Sequence, residues 1–395
     1  MRSFFVCSAI VAASLLNASS AFTQQAAPAP APSATKGSSA PETPGATATR
    51  QRPDLFTQLD VNKDGKVVKD ELPDRQKPNF GRIDSNADGS ISREELLKYT
   101  SGGQRNDPAL KPTHADVSYG PHERNVIDLY LAQSKTPTPL VLYIHGGGFQ
   151  GGDKRSVGSQ TVASYNAQGW SVAAINYRFT NVIPAPGQYL DCGRALQFIR
   201  HNATKYNIDL KRVASTGGSA GAGTSLWLAF HDDLADPKSD DPIARQSTRL
   251  ACVLVSNGQS SYDPRFAEKA GLPRPNFERH GFFEPFYGIK RADADTPEAY
   301  RRYEAAAPIT YLTKDDPPAM LTYSYLNEEV TNMSDLGLVV HHPKLGIALK
   351  EQMDKLGLEC VVQYRAADGG GVVQHGGGEL VRPLEFIKKH FEATK

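Results

Sequence analysis

Val213-Ala214-Ser215-Thr216-Gly217-Gly218-Ser219-Ala220-Gly221-Ala222 is the stretch that decides the architecture of this chain. An apolar strand-like run ends in Gly-Gly-Ser-Ala-Gly, and from Ala220 to Phe230 the pattern becomes helical. A strand that passes into a helix through so tight a turn needs almost no side chain on either side of the serine, and it leaves the serine hydroxyl projecting above a sheet. The helix starting behind the serine brings the positive end of its dipole to the same place, which favours developing negative charge. Glycine-rich strand-to-helix turns also cradle phosphate, but that chemistry wants a lysine after the last glycine, and Ala222 stands there.

Working outward, the runs Pro139–Ile144, Ser171–Ile175, Val213–Thr216, Ala251–Ser256, Ala319–Tyr323 and Cys360–Tyr364 read as buried, mostly parallel strands, with Val126–Leu131 as an antiparallel strand at the start. Between them Asp191–Tyr206, Ala220–Phe230, Leu345–Leu356 and Glu379–Phe391 carry apolar residues at helical spacing. Alternation of this kind predicts a layered α/β fold from about residue 108 to 395. The Pro- and aromatic-rich stretch 258–316 is too long for a simple connection and reads as an inserted lid. Its rings Tyr262, Phe266, Phe277, Phe282, Phe283, Phe286 and Tyr287 suit either an aromatic pocket or plain burial of the insertion against the sheet. Directly after the strand ending at Ile144 stands His145-Gly146-Gly147-Gly148-Phe149, a glycine run whose backbone can approach a ligand closely.

With Tyr119-Gly-Pro-His122, Asp128-Leu-Tyr-Leu131, Gly151-Gly-Asp-Lys154, Ile175-Asn-Tyr-Arg178 and the serine turn, these residues make the span 115–395 resemble the α/β-hydrolase family. The likeness is to its hormone-sensitive-lipase-like and bacterial feruloyl- or acetyl-esterase-like branch. The resemblance implies an α/β-hydrolase fold with Ser219 as nucleophile. It also implies an oxyanion hole made by the N–H groups of Gly147, Gly148 and Ala220. A triad in this fold runs Ser, then Asp or Glu, then His. The family's placement of the base falls on His375, in the loop after Cys360–Tyr364. His341 and His342 precede the helix at Leu345, and a structural or substrate-facing role is expected for them. The usual aspartate column falls on Asn327, a departure from the pattern. Glu328 next to it is the expected acid, with Glu329 and Asp335 as alternatives.

Residues 54–102 hold a tandem repeat. The first copy is Asp60, Asn62, Asp64, Gly65, Lys66, Val67 and Glu71; the second is Asp84, Asn86, Asp88, Gly89, Ser90, Ile91 and Glu95. Loop positions one, three and five point oxygens at one cation, and the sixth needs glycine for the sharp turn. Position seven, here Lys66 and Ser90, gives only its carbonyl; position twelve brings a carboxylate from the exiting helix. Both copies resemble EF-hand loops, which implies a small all-α pair binding calcium ions in a structural role. Val67 and Ile91 are expected to pair as a short strand between the loops.

Ahead of this pair, 22–53 is a Pro-, Ala- and Ser-rich linker that cannot bury enough apolar surface to order itself. Residues 1–21 read as a signal peptide: Arg2, an apolar run Phe4–Leu16 too short to span a bilayer, and Ser19-Ser20-Ala21 before the cut. Secretion or periplasmic export follows, with no transmembrane segment left. The formal net charge of +1 among 395 residues gives no basic surface for nucleic acid. Cys192, Cys252 and Cys360 fall in apolar helix- and strand-like runs, where a thiol acts as a small hydrophobe.

The expected function is a secreted serine carboxylesterase that works through an acyl-enzyme without a catalytic cofactor. Its expected substrate is a small molecule or an acylated carbohydrate. A hydrolase-fold protein with a degraded triad that binds a small ligand is the alternative, motivated by Asn327. An amidase or peptidase would use the same groups.

Overall fold

The computed structural model describes residues 55–72, 77, 80–84, 86, 88–100, 111–274, 281–331, 334, 336–367 and 371–394. The expected signal peptide and linker, and the candidates Phe277 and Asp335, lie outside the described residues.

Among the described residues nine strands form one sheet: β1 (His114–Ser118), β2 (Val126–Tyr130), β3 (Thr138–Ile144), β4 (Ser171–Ile175), β5 (Ile208–Gly218), β6 (Cys252–Ser256), β7 (Ala319–Leu326), β8 (Cys360–Arg365) and β9 (Val372–Gln374). Their order is β1-β2-β4-β3-β5-β6-β7-β8-β9. The pairs from β4 through β8 are parallel, and β1, β2 and β9 run antiparallel to their neighbours.

Alternate residues of each central strand serve opposite faces. Leu140, Leu142 and Ile144 of β3, Val253 and Val255 of β6, and Leu321 of β7 join the larger core, beneath the helices Gly187–His201 and Ala220–Phe230. Val141, Leu254 and Met320 join the other core, against the helix Pro383–Ala393. Because both faces are covered, the strands read as unbroken apolar runs rather than as alternating ones. The edge elements β1 and β9 escape that pattern because they are short and mostly exposed.

The inserted stretch 258–316 carries the short helices Pro264–Lys269, Phe283–Tyr287 and Pro297–Ala306. Phe283, Phe286, Tyr287 and Tyr303 are buried in the larger core, and Trp227 Nε1 donates to Ala305 O at 3.0 Å. Most of the aromatic residues there are therefore packing. Cys192, Cys252 and Cys360 are buried free thiols, as their apolar surroundings suggested.

The tandem repeat folds around its own small core of Phe56, Leu59, Val67, Leu72, Ile83, Ile91 and Leu96. Val67 and Ile91 pair as expected, through Val67 N–H to Ile91 O at 3.0 Å and the reverse bond at 2.8 Å. No helix among the described residues is long and apolar enough to cross a membrane.

Candidate active site and cation loops

Ser219 sits between β5 and the helix Ala220–Phe230 with φ 53° and ψ −120°. That backbone is strained for any residue with a side chain, at a cost of about 1–3 kcal/mol. The surroundings impose it: Ser219 N–H is held by Ser256 O at 3.0 Å, at the end of the neighbouring strand β6. Glycine at 221 is required because a Cβ there would lie 2.7 Å from Ile144 C and 2.8 Å from His145 O. The elbow is thus jammed against the end of β3, where the glycine run begins.

Ser219 Oγ lies 2.8 Å from Nε2 of His341. The imidazole that meets the elbow serine is therefore His341, and the expectation of His375 is corrected. The reason is tertiary. β7 is two strands from β5 in the sheet, and the chain returns from its end through the short helix Leu336–Val340, whose terminus delivers His341. The loop after β8 instead folds back as β9, and His375 N–H bonds Val362 O at 2.8 Å, out at the sheet edge. Its ring stands 6.4 Å from that of Tyr364.

The segment carrying His341 is held on both sides. Gln259 Nε2 donates to Val340 O at 2.8 Å, and the Tyr325 ring stacks on His341 at 5.6 Å. His342 is fully buried; its Nε2–H donates to the Glu328 carbonyl at 2.8 Å, while its Nδ1 accepts the Lys344 N–H at the start of the helix Pro343–Lys355. Burial holds the His342 pKa below its ordinary value. Of the structural or substrate-facing role expected for this pair, the structural one fits His342, while His341 lines the cavity and meets Ser219.

Glu328, the expected acid, lies on the loop after β7 beside His342. Its side chain is exposed, like those of Asn327 and Glu329, and what it contributes is its backbone carbonyl. Asp335 lies outside the described residues.

Gly147 and Gly148 adopt φ 112° and 59°, and Phe149 beside them φ 59°. Among the described hydrogen bonds, the N–H groups of Gly147, Gly148 and Ala220 serve no protein acceptor. In front of Ser219 and His341 opens a cavity of about 310 Å³, within the range of small-molecule sites. Tyr262, Leu272, Phe282, Leu336, Val339 and Leu345 give it apolar walls. A serine hydroxyl on an imidazole, idle N–H groups on the adjoining loop and a largely apolar chamber can together transfer an acyl group to water.

The repeat offers a second kind of site. Asp60 accepts the N–H groups of Asp64 and Gly65 at 3.1 and 3.0 Å, Asn62 Oδ1 accepts Asp64 N–H at 2.9 Å, and Glu71 reaches back to those of Val61 and Asn62 at 3.1 and 3.2 Å. Asp84, Asn86 and Glu95 repeat the pattern on Asp88, Gly89 and Asn86. Serine at 90 donates its hydroxyl to Asp88 at 2.8 Å, and these bonds hold the Asp88 pKa down. Among the described residues no three acidic, histidine or cysteine side chains converge on one point; each loop turns its carboxylates onto its own N–H groups. The donor chemistry is all oxygen, with the first and twelfth positions drawn to the same turn, which suits a hard cation. Asp60, Asn62, Asp64, the Lys66 carbonyl and Glu71 would hold one ion, and Asp84, Asn86, Asp88, the Ser90 carbonyl and Glu95 a second.

Comparison with known proteins agrees with this architecture. The BD-FAE family model matches residues 127–260, and the EF hand model matches 54–72 and 80–98. A probable carboxylic ester hydrolase of Mycobacterium tuberculosis, LipM, is 28% identical over 209 residues, covering 51% of this chain and 45% of that protein. Esterase LipQ of the same organism is 26% identical over 211 residues, with 52% and 46% covered. The chain thus spans about half the length of these curated relatives. The solved structure titled "Truncated form of carbohydrate esterase from gut microbiota" superposes with a TM-score of 0.52 at 19% identity, over 71% of this chain and 96% of that one. The sheet order, the serine elbow and these likenesses agree: the chain has an α/β-hydrolase fold, preceded in sequence by two stretches that match the EF hand model.

Proposed function

We propose that the protein hydrolyses carboxylic esters with Ser219 as nucleophile and His341 as general base. The 2.8 Å contact between Ser219 Oγ and His341 Nε2 at the elbow carries this reading. In the reaction His341 Nε2 takes the hydroxyl proton as Oγ attacks the ester carbonyl. The oxyanion develops against the N–H groups of Gly147, Gly148 and Ala220. His341 returns the proton to the leaving alcohol, and water, deprotonated by the same nitrogen, then releases the acid from the acyl-enzyme. The largely apolar chamber suits the acyl group. The carbohydrate esterase among its structural neighbours supports an acylated sugar as the alcohol side. Calcium in the two loops would hold the small domain folded, and the N-terminal residues would direct export.

The test is turnover of p-nitrophenyl acetate by the full chain beside Ser219→Ala, His341→Ala and His375→Ala. Loss at Ser219 and His341 with retention at His375 supports the proposal; loss at His375 with retention at His341 overturns its choice of base. A folded protein that turns over no ester, and whose Ser219 resists an organophosphonate, would favour the ligand-binding alternative.

A further inference from the structure

Arg124 lies in the turn before β2, and its guanidinium is built into the glycine loop. Its Nε donates to Tyr177 O at 2.8 Å and its Nη2 to Gly152 O at 3.1 Å. Its plane covers the Phe179 ring at 3.7 Å, and Nη2 stands 3.2 Å from Nε2 of His145. A guanidinium has only N–H donors and stays charged. The His145 nitrogen facing it can therefore only accept, so the ring proton must reside on Nδ1. That nitrogen is 2.7 Å from the Gly146 carbonyl, itself an acceptor, which needs a proton there. His145 is fully buried and stacked at 4.4 Å on Tyr177, and burial pushes its pKa down to about 4. The ring is thus neutral and confined to one tautomer.

The consequence passes along the backbone. In a planar trans peptide the carbonyl and the following N–H point in opposite directions. Fixing the Gly146 carbonyl on His145 therefore fixes the direction of the Gly147 N–H. This peptide backs onto the elbow: a Cβ built on Gly146 would lie 2.7 Å from Gly218 O and 3.4 Å from Ser219 Cβ. We infer that Arg124 is a positioning residue, which holds His145 as its Nδ1–H tautomer and so orients the Gly147 amide toward the oxyanion forming at Ser219. The inference rests on the ester-hydrolase reading for its effect on rate, and on geometry alone for the tautomer.

The two parts are tested separately on the full chain labelled with ¹⁵N-histidine, His145 being assigned by the signals missing from His145→Asn. In the unsubstituted protein the expected spectrum at neutral pH shows His145 protonated on Nδ1 and bare on Nε2; an Nε2–H ring overturns the inference whatever the activity. In Arg124→Met the single tautomer should give way to a mixture. Its kcat on p-nitrophenyl acetate should fall about tenfold or more with KM within twofold, a part of the 10²–10³ lost when an oxyanion donor is deleted. Arg124→Lys, which keeps donors and offers no acceptor, should restore the tautomer and raise kcat above that of Arg124→Met. Unchanged kcat in a folded Arg124→Met overturns the positioning role. If Arg124→Met does not fold, the unsubstituted spectrum and the lysine variant still decide. An Nδ1–H ring in a protein with no Ser219-dependent turnover would show that the ester-hydrolase reading failed and the tautomer assignment did not.

Discussion

Lys154, in the Gly-Gly-Asp-Lys motif behind the glycine loop, places its ammonium 2.8 Å from both Asp128 and Asp116. The two partners differ sharply in environment: the Asp128 side chain is 4% exposed and that of Asp116 is 74% exposed. Replacing Lys154 with methionine keeps the stem and removes the charge. It leaves the Asp128 carboxylate buried with one remaining bond from the described set, the Asp116 N–H at 2.9 Å. Breaking a buried pair in this way costs about 3–5 kcal/mol, whereas an exposed partner is worth about 1 kcal/mol or less. Lys154→Met should therefore lower the free energy of unfolding by about 3–5 kcal/mol. Asp116→Ala should lower it by only about 1 kcal/mol or less. Adding Asp128→Asn removes the stranded charge and keeps an oxygen for Asp116 N–H, so the double variant should recover most of the loss. The assay is denaturant unfolding followed by tryptophan fluorescence, since Trp170 and Trp227 are both buried. A loss below about 1 kcal/mol in Lys154→Met would refute the argument. So would a double variant no more stable than Lys154→Met, or an Asp116→Ala as damaging as Lys154→Met.

In the turnover assay His341→Ala should lose on the order of 10³-fold or more in kcat, as a missing base does, while His375→Ala should stay within a few-fold of the unsubstituted protein. His145 has its folded pKa pushed down to about 4 against an ordinary 6.5. Between these values the unfolded chain takes up a proton that the folded one refuses, so stability should fall as pH drops from 6.5 toward 4. His145→Asn should flatten that part of the stability–pH curve. Titration of calcium into the full chain by calorimetry should show two binding events, and Glu71→Gln and Glu95→Gln should each weaken one of them about tenfold or more. Chelation should melt the loop pair without lowering the ester rate; a matching fall in rate would show that the two parts are coupled. Gly221→Ala should destabilise the protein by about 1–3 kcal/mol or more, because its methyl would press on the Ile144 and His145 backbone, which cannot move aside like a side chain.

Features made by neighbours in sequence were legible before the structure. The elbow at Ser219, the glycine run after Ile144 and both EF-hand-like loops are contiguous motifs, whose residue types are demanded by backbone turns that the same residues make. The central strands were legible because a sheet covered on both faces needs apolar residues at every position. β1 and β9 were missed for the converse reason: they are short, edge-lying and polar or exposed, so no face of theirs imprinted a pattern. In the aromatic-rich insertion the ring content signalled burial or a pocket, and only packing separated Tyr262 and Phe282, which line the cavity, from Phe283, Phe286 and Tyr287, which are core.

The sequence by itself determined the fold class, the serine and the oxygen donors, since each rests on local sterics and spacing. It could not decide which histidine meets Ser219. That contact joins residues 122 positions apart, and it depends on β7 lying nearer to β5 than β8 does and on the loop after β8 spending itself as an edge strand. Read in one dimension, the family's placement falls on His375; the order of strands, set by packing of the whole sheet, instead brings His341 to the serine and leaves His375 at the rim.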